Sequence, residues 1–136
     1  MTTQIMILDS WGLVAFFEDE QPAAGHLEKI LIEAQGADMD LLISAVNLGE
    51  VWYSLARAYS DKKANQAIVE IGSLGIQTVP VDWNVAREAA VFKVRGNVAY
   101  ADCFALALAK MNDTKVVTGD PEFKQFENQV SIHWLT

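Results

Sequence analysis

Ile5-Met6-Ile7-Leu8 does more than any other segment to narrow the possible folds: four apolar residues in succession, stopped at once by Asp9. A run without polar alternation is a strand covered on both faces, as in a parallel sheet sandwiched by helices. Short apolar runs recur at 41–43, 76–81, 115–117 and 130–134, the last with the look of an edge strand. Helical segments are expected between them at 10–18, 22–35, 44–59, 61–74, 83–95 and 100–111, with a helical turn at 121–126. Asp9 or Ser10, Ser44 and Asp82 stand where N-caps belong, Pro22 falls in a first turn, and Gly36 and Gly75 follow helix ends. This alternation predicts an α/β fold: a short central parallel sheet of four or five strands with helices on both faces, residues 1–136 forming one domain.

With 136 residues the chain can bury roughly two-thirds of its unfolded surface, and 51% hydrophobic against 21% charged residues excludes a disordered polymer. Cys103 is the only cysteine, so neither an internal disulfide nor a cysteine-based zinc site is available, and a reducing cytoplasm is expected. The amino terminus has no basic leader, Asp9 interrupts its apolar run, and no stretch approaches the roughly 18 apolar residues of a membrane span. Ten Lys and Arg against 18 Asp and Glu leave a formal charge of −8. Such a chain lacks the clustered cations behind general nucleic-acid affinity, so a polyanionic substrate needs a bound metal or a local basic patch.

Two acids stand in apolar surroundings. Glu50 is the only charged residue between Leu41 and Ala56, and Asp102 the only one between Gly96 and Ala109. An unpartnered buried carboxylate costs several kcal/mol or is driven to protonate, so each demands a reason. Asn47, Glu50, Ser54 and Arg57 share one helical stripe, so Glu50 alone also fits a solvent-facing row. Asp102 also fits a first-turn acid favoured by the helix dipole. Asp9 and Asp120 directly follow strands, where each serves equally as an N-cap. Taken together, however, the four fall where a parallel sheet gathers reactive groups, beyond the carboxyl ends of its strands. Converging carboxylates call for protons or a hard cation, and oxygen ligands favour Mg²⁺ or Mn²⁺ over zinc. His26 and His133 lie far along the chain from these acids and are not assigned to the metal.

The motifs Ile-Leu-Asp9-Ser10, Ile-Ser-Ala-Val-Asn-Leu-Gly-Glu50-Val, Tyr-Ala-Asp102-Cys-Phe-Ala-Leu-Ala and Val-Val-Thr118-Gly-Asp120-Pro-Glu-Phe123 occur in this order across nearly the whole chain. In them the sequence resembles PIN-domain ribonucleases, and most closely VapC-type toxins of bacterial toxin–antitoxin pairs. The resemblance implies a PIN-like fold and an acidic metal site made of Asp9, Glu50, Asp102 and Asp120. It also implies that Thr118 orients a water or a neighbouring carboxylate, with Ser10 and Asn47 in support. Gly119 departs from the pattern, since a polar residue is common there in relatives.

The activity so implied is Mg²⁺- or Mn²⁺-dependent endonucleolytic cleavage of RNA, a structured RNA such as tRNA, so as to arrest protein synthesis. A divalent ion would activate water for attack on the phosphodiester and supply the positive charge the chain lacks. Arg57, Lys93 and Arg95 are candidates for flanking phosphates, and Trp11 for a base-stacking or a core role. The implied partners are a VapB-like antitoxin that covers the acids and a second copy in a homodimer, with Trp52, Tyr53 and Tyr59 as candidate contacts. The competing reading is a PIN-like module that binds a cation or a basic partner without cleaving anything. A haloacid-dehalogenase-type phosphatase needs a second Asp where Trp11 stands, and a receiver domain needs an acidic pair ahead of the first strand.

Overall fold

The computed structural model describes residues 4–136. Five strands form one parallel sheet in the order β3-β2-β1-β4-β5. They are β1 (Gln4–Leu8), β2 (Met39–Ser44), β3 (Gln77–Val79), β4 (Lys115–Thr118) and β5 (Ser131–Trp134). The helices are α1 (Ser10–Phe17), α2 (Ala23–Gly36), α3 (Ala45–Ala58), α4 (Asp61–Ser73), α5 (Trp83–Arg95) and α6 (Tyr100–Met111), and a 3-10 turn covers Pro121–Phe126.

Alternation along β1 divides two cores. Met6 and Leu8 point into one, with Leu41, Ile43 and Val117, under α1 to α4. Ile7 points into the other, with Val116, under α5, α6 and the 3-10 turn. Ile7, Leu8, Ile43 and Val116 are at most 1% exposed, and each such burial stabilises the fold by roughly 1.5–3 kcal/mol. α6 buries seven successive residues, Cys103 to Ala109, which leaves water only to its two ends. The fold is thus the expected α/β sandwich, with the parallel sheet at its five-strand limit.

The caps act where the sequence places them. The side chains of Asp9, Ser44 and Asp82 accept from the backbone N–H of Gly12, Asn47 and Val85, and Gly75 takes the positive φ of 82° that ends α4. Several boundaries differ: Gly36 is the last residue of α2 rather than the one after it, and β2 already begins at Met39. Pro22 is itself the cap residue of α2, one position earlier than a first-turn proline. β3 keeps only three residues of the run at 76–81, because Pro80 has no N–H for a sheet ladder. No helix among the described residues is long and apolar enough to cross a membrane.

Candidate active site

β1 and β4 are adjacent and parallel, with Leu8 in register with Val117, so the residues that follow them emerge side by side at one edge of the sheet. Asp9 comes directly after β1 and Asp120 two residues after β4. Ser44 ends β2 and caps α3, which carries Glu50 in its second turn to the same edge. Ala99 caps α6 through backbone alone and puts Asp102 in the first turn. A cleft of about 430 Å³ opens there, lined in part by Glu50, Asp102 and Asp120 together with Ser10, Trp11 and Ser54. Asp9 does not line it; its carboxylate lies beneath, 1% exposed.

The carboxylates are held from both sides. Asp9 Oδ1 accepts the Gly12 N–H at 3.0 Å, and Oδ2 accepts a short bond from the Thr118 hydroxyl. Thr118 Oγ1 in turn accepts the Asp120 N–H at 3.0 Å, so Thr118, wholly buried, ties the two strand-end acids together. Glu50 Oε1 accepts from Ser10 Oγ at 2.9 Å and from Asn47 Nδ2 at 3.0 Å. Asn47 Nδ2 also donates to the Ala101 carbonyl at 3.0 Å, and its Oδ1 accepts from Ser44 Oγ at 2.6 Å. The buried amide therefore couples Glu50 on α3 to the backbone beside Asp102 on α6.

Burial pushes the Asp9 carboxyl up to about 7, against the lowering effect of Thr118 and Gly12, and the charges of Asp120 and Glu50 add to the rise. Asp102 is also raised to about 7, first by burial and then by the charges of Asp120, Asp9, Glu50 and Glu122. The cleft lining contains Glu20, Glu50, Asp102, Asp120 and Glu122 but no Lys, Arg or His. Nothing in the wall offsets this charge; protons or a cation must. Ligand oxygens of Asp102, Asp120 and Glu122 lie within 4.8 Å of one another, an all-oxygen set that suits Mg²⁺ or Mn²⁺.

Glu122 is the member that sequence reasoning missed. It follows Asp120-Pro121 in the first turn of the 3-10 segment, where an acid reads as an ordinary complement to the helix dipole. The available signal was its two-residue offset from Asp120. The cations named from sequence fare differently from the acids. Lys93 Nζ donates to the Val98 carbonyl at 2.7 Å. Arg95 borders a recess with Lys110 and Gln129, at the other end of α6 from Asp102. Arg57 lies over the Tyr53 ring, 5.0 Å from its centroid, and the Tyr53 hydroxyl is 3.4 Å from Glu50 Oε2. Trp11 packs against the core on one side and lines the cleft on the other. Trp52 packs half-buried against the core and donates Nε1 to Asn65 at 2.9 Å, whereas Tyr53 and Tyr59 are exposed. His26 Nδ1 lies 2.7 Å from the Leu135 carbonyl, outside the cleft.

No curated protein sequence matches the chain. Among solved structures, it is similar to VapC20 of Mycobacterium tuberculosis, a sarcin–ricin loop cleaving toxin. That match has a TM-score of 0.72 and 16% identity over 88% of this chain and 93% of that one. A chain of the DNA-bound VapBC structure from Salmonella typhimurium gives a TM-score of 0.76 at 14% identity, covering 98% of this chain and 99% of that one. FitAcB from Neisseria gonorrhoeae gives 0.66 at 23% identity, over 96% and 97%. At these identities the likeness establishes the fold. The PIN domain family model matches residues 6–129, a range that holds strands β2 to β4, most of β1 and every acid of the cleft. The chain belongs to the PIN-domain family.

Proposed function

We propose that this chain, a single PIN domain over residues 1–136, is a divalent-metal-dependent endoribonuclease of the VapC toxin type, acting in the cytoplasm on a structured RNA such as tRNA. The observation that carries this reading is the meeting of Asp9, Glu50, Asp102 and Asp120, distant in sequence, around one cleft whose lining holds no cation. Asp102 and Asp120, with Glu122 at the rim, would hold Mg²⁺ or Mn²⁺, and Asp9 would act from below through the Thr118 bridge. When bound, the ion supplies a Lewis acid that activates water and neutralises charge gathering on the phosphodiester.

The remaining work falls to the protein. Ser10 and Asn47 aim the Glu50 carboxylate, Thr118 fixes Asp9 against the Asp120 backbone, and the α6 N-terminus adds a favourable dipole at the cleft. Arg57, the one named cation tied to the cleft through Tyr53 and Glu50, is suited to a flanking phosphate of the substrate. Because the similar structures include VapBC complexes, we also propose a VapB-like antitoxin as partner, bringing positive charge to the uncompensated acids. A homodimer is the proposed assembly, with the exposed Tyr53 and Tyr59 as its proposed contacts.

Incubation of the pure protein with total tRNA tests the reading directly. Mg²⁺ or Mn²⁺ should give endonucleolytic fragments, EDTA should abolish them, and Asp102→Asn should slow cleavage on the order of 10³-fold, a loss of several kcal/mol in transition-state stabilisation. Full activity in Asp102→Asn would remove the acid from the mechanism. Metal binding without any cleavage would leave a cation-binding module instead.

A further inference from the structure

Gly119 stands between Thr118, whose hydroxyl bonds Asp9, and Asp120, whose N–H that hydroxyl accepts. A β-carbon at position 119 would lie 2.2 Å from Cζ3 and 2.3 Å from Cη2 of Trp11. The six-membered ring of the indole therefore occupies the space that any side chain at 119 would need. No left-handed φ calls for glycine here; Gly75 is the glycine with positive φ. Close approach alone does. A planar ring cannot fold aside as a lysine or methionine tip would, so the contact is rigid. It is also a contact between two strand ends. Trp11 lies two residues beyond Asp9 in α1, and Gly119 one residue before Asp120. The same two strand ends joined by the Thr118 hydrogen bonds are thus pressed together a second time by packing.

We propose that Trp11 is a positioning residue: its indole, seated on Gly119, sets the spacing of Asp9 and Asp120 and so the affinity of the cleft for a divalent cation. This inference rests on the metal-binding reading above. Metal affinity is sensitive to small errors in ligand spacing, so a residue that touches no ligand atom still governs it by fixing the backbone that carries them. Gly119 is then a fitted partner of Trp11 rather than a weakened motif.

The test is Mn²⁺ titration of the full chain, followed by the electron paramagnetic resonance signal of free Mn²⁺, alongside thermal melts without metal. Gly119→Ala should weaken Mn²⁺ binding at least about tenfold. Adding Trp11→Leu to that variant should recover part of the loss, since the smaller side chain vacates the space of the new methyl group but no longer supplies the full contact of the indole. Gly96→Ala is the control for clash alone. A β-carbon there would meet Phe126 Cζ at 2.4 Å, and Gly96 does not line the cleft, so this variant should melt lower yet keep its Mn²⁺ affinity within about twofold. Wild-type affinity in Gly119→Ala, or a double variant no better than Gly119→Ala, overturns the proposal while the metal site stands. Failure of the wild-type chain to bind Mn²⁺ overturns the metal reading and this inference together. Should Gly119→Ala not fold, Trp11→Leu alone decides: weaker Mn²⁺ binding, restored in part by Trp11→Phe, supports the positioning role, and unchanged binding ends it.

Discussion

The β1–α1 corner and the β3–α5 corner are nearly the same piece of local structure. Each has an aspartate as N-cap, at φ −102° and ψ 176° for Asp9 and φ −97° and ψ −175° for Asp82. Each carboxylate accepts the N–H three residues on, at 3.0 Å. What separates them is place in the sheet. β1 is its central strand and β3 its edge, so Asp82 lies exposed while Asp9 is buried and feels the charges of Asp120 and Glu50. The same cap is a solvent-facing helix start in one corner and a buried acid with a raised pKa in the other; local geometry alone does not tell the two apart.

Metal sharpens the contrast most. At roughly a hundred times its dissociation constant, Mn²⁺ should stabilise the native chain by about 2.7 kcal/mol, a rise in Tm on the order of 8 °C for a domain of this size. Asp9→Asn should remove most of that rise, whereas Asp82→Asn should leave it intact; differential scanning fluorimetry with and without Mn²⁺ reads both. An identical response from the two variants would place Asp9 outside the site.

Acidity comes next. The Asp9 carboxyl titrates near 7 in the fold and near 3.8 when unfolded, so between those values the native state holds the extra proton and stability falls as pH rises. From pH 5 to 7, Asp9 alone should cost the metal-free protein on the order of 2 kcal/mol, and Asp102, raised in the same direction, should add to it. Asp9→Asn should flatten this slope and raise the Tm above pH 7, while Asp82→Asn should change neither. A metal-free chain that grows more stable from pH 5 to 7 would contradict the burial of an uncompensated acid.

The smallest effect belongs to the edge corner. Asp82→Ala should cost about 1 kcal/mol through loss of the α5 cap, measured by urea denaturation, with Mn²⁺ affinity unchanged.

This comparison also explains what could be read from the chain before its fold was known. Helix starts at Asp9, Ser44 and Asp82 are local devices, each a side chain answering an N–H three residues away, and local devices are legible. The apolar runs gave the strands for the same reason, failing only at β3, where Pro80 cuts the pairing short. The stripe Asn47, Glu50, Ser54 and Arg57 looked like a wet face, yet Asn47 is wholly buried, because α6 packs its Ala101 carbonyl against that amide. Glu122 escaped notice and Lys93 and Arg95 drew too much of it, since which side of α6 a loop residue reaches is decided by how α5 and α6 cross. Periodicity within one helix carries no information about that. The fit of Trp11 to Gly119 is likewise invisible in one dimension, the two being more than a hundred positions apart.

β1, the first strand described, is flanked on one side by β2 and on the other by β4, and Asp9 finds its Thr118 partner 109 residues later. A nascent chain leaving the ribosome therefore carries Asp9 without its Thr118 partner until β4 has been made. Only when β4 slots in beside β1 does the cleft exist at all. Dependence on so late a closure slows folding, and it means that no fragment ending before β4 can assemble the acidic cleft.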